Sequence, residues 1–82
     1  GGKSPAFKRF HAEGTKTFGK QWDDARHWLI ERYTKAMTPD KVRKSSGDMS
    51  DDELDVITDG LVEKRGYYQR EFGKAAGVAT GK

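Results

Sequence analysis

The chain has 82 residues, of which 33% are apolar and 35% charged, with a net charge of +3 and no cysteine. That length allows one domain, and a chain this short buries only about 60% of its unfolded surface, so the core is thin. Disulfides and thiolate metal sites are excluded, no apolar run approaches the roughly 20 residues of a membrane span, and no signal peptide is visible, so a cytoplasmic location is expected.

Two further features of the composition matter. Large rings (Phe7, Phe10, Phe18, Trp22, Trp28, Tyr33, Tyr67, Tyr68 and Phe72) offset the shortage of apolar residues, because each buries much area. Charge is also unevenly spread: residues 1–46 carry +6 and residues 47–82 carry −3. Such asymmetry predicts one basic face and one acidic face.

In chain order, Gly1-Gly2-Lys3 reads as a linker or tag, and residues 4–73 as the helical domain. Ser4 is placed to cap a helix whose first residue is Pro5. Phe7, Phe10, Gly14 and Phe18 share one helical stripe. Gly14 costs about 1 kcal/mol against alanine there, which suggests that another helix comes close. Gly19 is a natural stop. The second helix runs from Trp22 to Met37, with Trp22, Ala25, Trp28/Leu29, Tyr33 and Ala36/Met37 recurring every three or four residues. Asp23 and Asp24 open it and Lys35 closes it, as the helix dipole favours.

Thr38-Pro39 ends that helix, since the residue before proline is pushed out of the helical region. The same pair can start a short helical turn, with Thr38 as cap and Pro39 first, running to Lys44, and Ser45-Ser46-Gly47-Asp48 is a loop by composition. The third main helix has the strongest start signal. Ser50 and Glu53 form a capping box, with Met49 and Leu54 as a hydrophobic staple. Leu54, Ile57, Leu61, Tyr68 and Phe72 continue its stripe, with a break expected at Gly66 and a stop at Gly73. Residues 74–82 read as a flexible tail. The predicted fold is therefore all-α, a compact bundle of three main helices plus a short helical turn. Trp22, Trp28, Leu29, Tyr33, Leu54, Ile57 and Leu61 form its core.

Motif by motif, little chemistry survives. Gly14 to Gln21 fits G-x-x-x-x-G-K but ends in Gln, where a phosphate loop needs Ser or Thr for magnesium, and a helix precedes it where a strand is required. His11 and His27 are the only histidines. His27 has Asp23 and Glu31 one turn away on either side, a pattern that helix-surface charge pairing explains better than a metal site. No acid–base pair or nucleophile constellation can be assembled, so no independent enzyme, cofactor, metal site or small-molecule substrate is expected.

The run Lys41-Val42-Arg43-Lys44-Ser45-Ser46 is the leading functional candidate. Cations, hydroxyls and loop amides can all contact phosphate oxygens. Lys16 and Lys20, beside Lys8 and Arg9, could extend an electrostatic footprint, and Tyr67 is the ring best placed to stack on a base.

The order Phe10-His11-Ala12, Gly14, Phe18-Gly19, Trp22-Asp23, Arg26, Ser45-Ser46, Met49-Ser50, Glu53-Leu54, Ile57 and Leu61 also carries a family likeness. It resembles a small helical module found near the carboxyl end of some phage and bacterial single-strand annealing, recombination and replication proteins. Its later half, a Ser-Ser loop before a capped helix, is similar to phage Mu GemA-like regulators. The likeness spans about residues 10–62. It implies attachment to a larger DNA-processing protein and carries over no binding residue. The expected function is an accessory nucleic-acid-binding module, for single-stranded or non-specific DNA, using Lys41, Arg43, Lys44, Ser45, Ser46, Lys16, Lys20 and Tyr67. The competing expectation is a module that docks a replication or recombination protein through its acidic third helix or an aromatic groove. A contiguous apolar patch on the surface would favour that second reading.

Overall fold

A computed structural model describes residues 4–76 and shows four α-helices: α1 (Pro5–Phe18), α2 (Trp22–Met37), α3 (Asp51–Glu63) and α4 (Arg65–Ala76). Short 3-10 turns occupy Gly19–Gln21, Pro39–Lys41 and Ser46–Asp48. No strand occurs among the described residues, and no helix there is long and apolar enough to cross a membrane.

The helix ends follow the local chemistry. Ser4 accepts the Phe7 amide at 3.2 Å, and Pro5 fills the first position of α1. Gly19 ends α1 with φ of 58°, a conformation that suits a residue without Cβ. Ser50 and Glu53 form the reciprocal capping box of α3, and Met49 and Leu54 are both buried in the core.

Three boundaries differ from expectation. The turn after Pro39 stops at Lys41, because the chain extends at Val42 so that the Arg43 amide can reach Thr34. The third helix breaks at Lys64, with φ −121° and ψ 42°, two residues before the glycine expected to break it. The break needs no glycine, since φ stays negative. Gly73 is not a stop: α4 runs through Lys74 to Ala76, so residues 74–76 are helix. The rest of the expected tail, 77–82, and the expected linker, 1–3, lie outside the described residues.

The core is an aromatic chain linking α1, α2 and α4. Phe10 meets Trp22 edge-on at 5.0 Å, Trp22 stacks on Phe18, and Phe18 and Trp28 both meet Phe72 edge-on. Aliphatic side chains of α2 and α3 (Leu29, Ile30, Leu54, Ile57 and Leu61) fill the space around it. Trp28 and Tyr33, expected inside, are only partly buried against this cluster.

The buried face of α2 is rotated from the predicted stripe. It runs through Trp22, Ala25, Leu29, Ile30 and Thr34, and leaves Ala36 and Met37 exposed. Thr34 explains much of the shift. Its buried hydroxyl donates to the Ile30 carbonyl at 2.9 Å and accepts the Arg43 amide at 3.0 Å. It is thus satisfied inside and clips the connecting segment onto α2.

Polar links tie the remaining layers. α1 is held to α3 by Arg9 with Asp55 and Asp59, and by the Ser4 hydroxyl donating to Asp51. It is held to α4 by Arg65 with Glu13 and by Gln69 donating to the Thr17 carbonyl.

The Trp22 ring lies so close over Gly14 that a Cβ there would overlap it. A Cβ on Gly60 would meet only the Tyr68 hydroxyl, at 3.8 Å. We expect Gly14→Ala to destabilise the fold by about 1–3 kcal/mol through overpacking. Gly60→Ala should stabilise it by up to about 1 kcal/mol through helix propensity. Equilibrium urea unfolding of both variants tests the contrast.

Candidate functional site

The expected phosphate-binding residues differ in how far the fold engages them. Arg43, their leader, is drawn inward. Its guanidinium meets both carboxylate oxygens of Glu53, at 2.8 and 2.7 Å, and donates to the Lys41 carbonyl, the Thr38 hydroxyl and the Asp48 carbonyl. Its side chain is 12% exposed and that of Glu53 23%. A planar fork matched to a carboxylate is a strong, specific pair, and it leaves Arg43 little capacity for a phosphate. Ser46 is buried, with its hydroxyl 3.4 Å from His11. The Ser45 hydroxyl accepts from the Gly47 amide. Arg43 and Ser46 are thus both engaged by neighbouring groups of the fold.

Lys16 pairs with Glu13 on its own helix. Tyr67 packs edge-on against Tyr68, and its hydroxyl accepts from Arg32 at 2.8 Å. Lys20, Lys41 and Lys44 are exposed and form no ion pair among the described residues.

Both histidines are committed to the fold. Trp22 donates its indole N–H to His11 Nδ1 at 3.1 Å, which places the imidazole proton on Nε2, toward Ser46. Burial, with Arg26 nearby, pushes His11 below the ordinary histidine range. His27 does not engage Asp23 or Glu31. Its Nδ1 donates to the Lys44 carbonyl, while Asp23 pairs with Arg26 and Glu31 with Lys35. Among the described residues, no three His, Asp or Glu side chains converge to hold a metal ion.

One concave feature of the surface lies between α2 and α3. α3 packs chiefly on α1, and α2 and α3 do not close on each other. Between them is a groove of about 300 Å³ lined by Leu29, Tyr33, Ala36 and Met37 of α2, Val56, Ile57 and Gly60 of α3, and Tyr68 of α4, with Arg32 at its edge. Met37 is 62% exposed and Val56 54%. Arg32 stacks over Trp28 and Tyr67, which fixes the cation at that edge.

The groove residues were overlooked in the sequence for two reasons. Ala36 and Met37 continue the apolar stripe of α2 and so read as core. Val56 lies off the Leu54–Ile57–Leu61 stripe, and that displacement was the available signal.

Comparison with protein-family models, with curated proteins and with solved structures returns no match.

The Arg43 hydrogen bonds, with the Ser50 amide, hold the Glu53 carboxyl at about 2, below its ordinary 4.5. A depressed carboxylate stabilises the fold fully above its unfolded value and loses that contribution as pH falls through its folded value. We expect this contribution to disappear between about pH 4.5 and 2. Arg43→Lys, which cannot reproduce the bidentate fork, should lower the thermal midpoint by several degrees at neutral pH and flatten this part of the acid profile. Thermal melts of both proteins across that range test the pair.

Proposed function

We propose that this chain is a non-catalytic docking module that receives a protein partner in the groove between α2 and α3. The observation that carries the reading is the exposure of Met37 and Val56 on either side of an open apolar channel. Contiguous exposed apolar surface rimmed by charge is a feature of interaction sites. A partner would recover the burial that Tyr33, Ala36, Met37 and Val56 forgo in the isolated fold. The resemblance in residues 10–62 supports the setting, a replication or recombination protein to which the module is attached.

A second reading, contact with DNA, is favoured by Lys20, Lys41 and Lys44, whose ammonium groups are free of carboxylate partners among the described residues. It has lost Arg43 and Ser46 to the interior. It ranks below docking because lysines alone give a sequence-independent attraction without a shaped site.

Photo-cross-linking from two positions separates the readings. A photoreactive side chain at Val56 should trap protein adducts in cells, and Met37→Glu should abolish them without lowering the thermal midpoint. Nucleic-acid adducts from a cross-linker at Lys44, with none of protein from Val56, would overturn docking in favour of DNA contact.

A further inference from the structure

Resting on the docking reading, the geometry points to one class of occupant: an amphipathic α-helix that carries lysine or arginine along the flank facing α3.

The walls decide the secondary structure of the occupant. Both are α-helices whose backbone groups are already bonded within α2 and α3. They offer no strand edge to which an extended segment could add. An extended chain would bring unpaired N–H and C=O groups against an apolar surface, which is costly. A helix satisfies its own backbone and presents only side chains. The α2 wall is itself a helical stripe, with Leu29, Tyr33, Ala36 and Met37 facing the channel. Such a stripe spans about 12 Å at the helical rise, enough to align two turns of a partner. Gly60 lowers the α3 wall opposite, and only the Tyr68 hydroxyl stands close to the notch it leaves. A large apolar side chain fits that notch.

Charge fixes the flank. α3 carries six acidic residues and no basic one. At helical spacing, Asp52, Val56, Asp59 and Glu63 share one stripe, so acids border Val56 along the α3 lip. Asp59 shares Arg9 with Asp55, whereas Asp52 and Glu63 form no ion pair among the described residues. The opposite lip is internally balanced: Arg32 bonds Tyr67 and lies near Glu71, and Lys35 pairs with Glu31. Along the α3 lip Asp52 and Glu63 stand unpaired against one unpaired cation, Lys64 at the carboxyl end, so the unneutralised charge beside the groove is net negative. Complementarity then calls for cations on one side of the entering helix.

The test uses the full chain, labelled with 15N, and two synthetic helical peptides of about 15 residues. Both carry leucines at i, i+3, i+4 and i+7. One has lysines on a flank and its twin has glutamates at the same positions. The lysine peptide should shift the amides of Tyr33, Met37, Val56 and Gly60. It should bind about tenfold tighter than its twin at low salt, from several modest ion pairs. Salt should erode that preference, as should Asp52→Lys with Glu63→Lys. Gly60→Leu, which fills the notch from a surface position, should block either peptide while retaining the native melting transition. Equal affinity for the twins overturns the basic-flank inference and leaves docking standing. Absence of groove shifts with both peptides overturns the two together. Concentration-dependent shifts at these amides without peptide, with a dimer in sedimentation, would make a second copy the occupant and overturn the inference.

Discussion

The Arg43–Glu53 pair holds the part of the molecule on which its surface depends. Arg43 leaves the connecting segment, crosses the carboxyl end of α2 at Thr38 and closes on the first turn of α3. Glu53 uses the same carboxylate to cap α3 through the Ser50 amide. One side chain thus serves as helix cap and counterion. The cost of leaving either charge without its partner in this half-buried position fixes the α2–α3 connection in a single arrangement. With that end held, and α4 packed at the other through Tyr68 and Phe72, α2 and α3 stay splayed and the groove remains open.

A second constraint sits at the hub of the core. Gly14 lets the Trp22 indole lie directly on α1, and the indole N–H then reaches His11. Aromatic contacts pass from Trp22 through Phe18 to Phe72 and Trp28. A chain with few aliphatic residues therefore forms a continuous interior from rings, each contributing large area at few positions. His11 completes this arrangement, partly buried, as the acceptor of the indole N–H.

The sequence shows much of this architecture and less of its surface. Ser4-Pro5, Gly19, Thr38-Pro39 and Ser50-Glu53 mark helix ends because caps are local chemistry. The Phe10–Gly14–Phe18 and Leu54–Ile57–Leu61 stripes mark buried faces because periodicity is local too. The rotation of α2 was not legible. Ile30 and Thr34 take the buried places expected for Tyr33, Ala36 and Met37, and Thr34 is bonded to Arg43 of the connecting segment nine residues on. The fate of Arg43 was hidden for the same reason. A basic run looks like a solvent-facing cluster until the residue ten positions on proves to be its counterion. Lys20, Lys41 and Lys44 kept the exposure their type suggests, while Arg43 and Ser46 did not.

The ties between chain ends bear on how the domain assembles. Ser4 bonds Asp51, Glu13 pairs with Arg65, and Thr17 accepts from Gln69, at sequence separations of 47 to 52 residues. Helical bundles usually fold quickly because their contacts are local. Here the first helix acquires its ties to Asp51, Arg65 and Gln69 only after the last two helices exist. During synthesis, α1 and α2 would emerge with their rings uncovered until α3 and α4 followed. Loss of α4 would leave Phe18, Trp28 and the Thr17 carbonyl unprotected together.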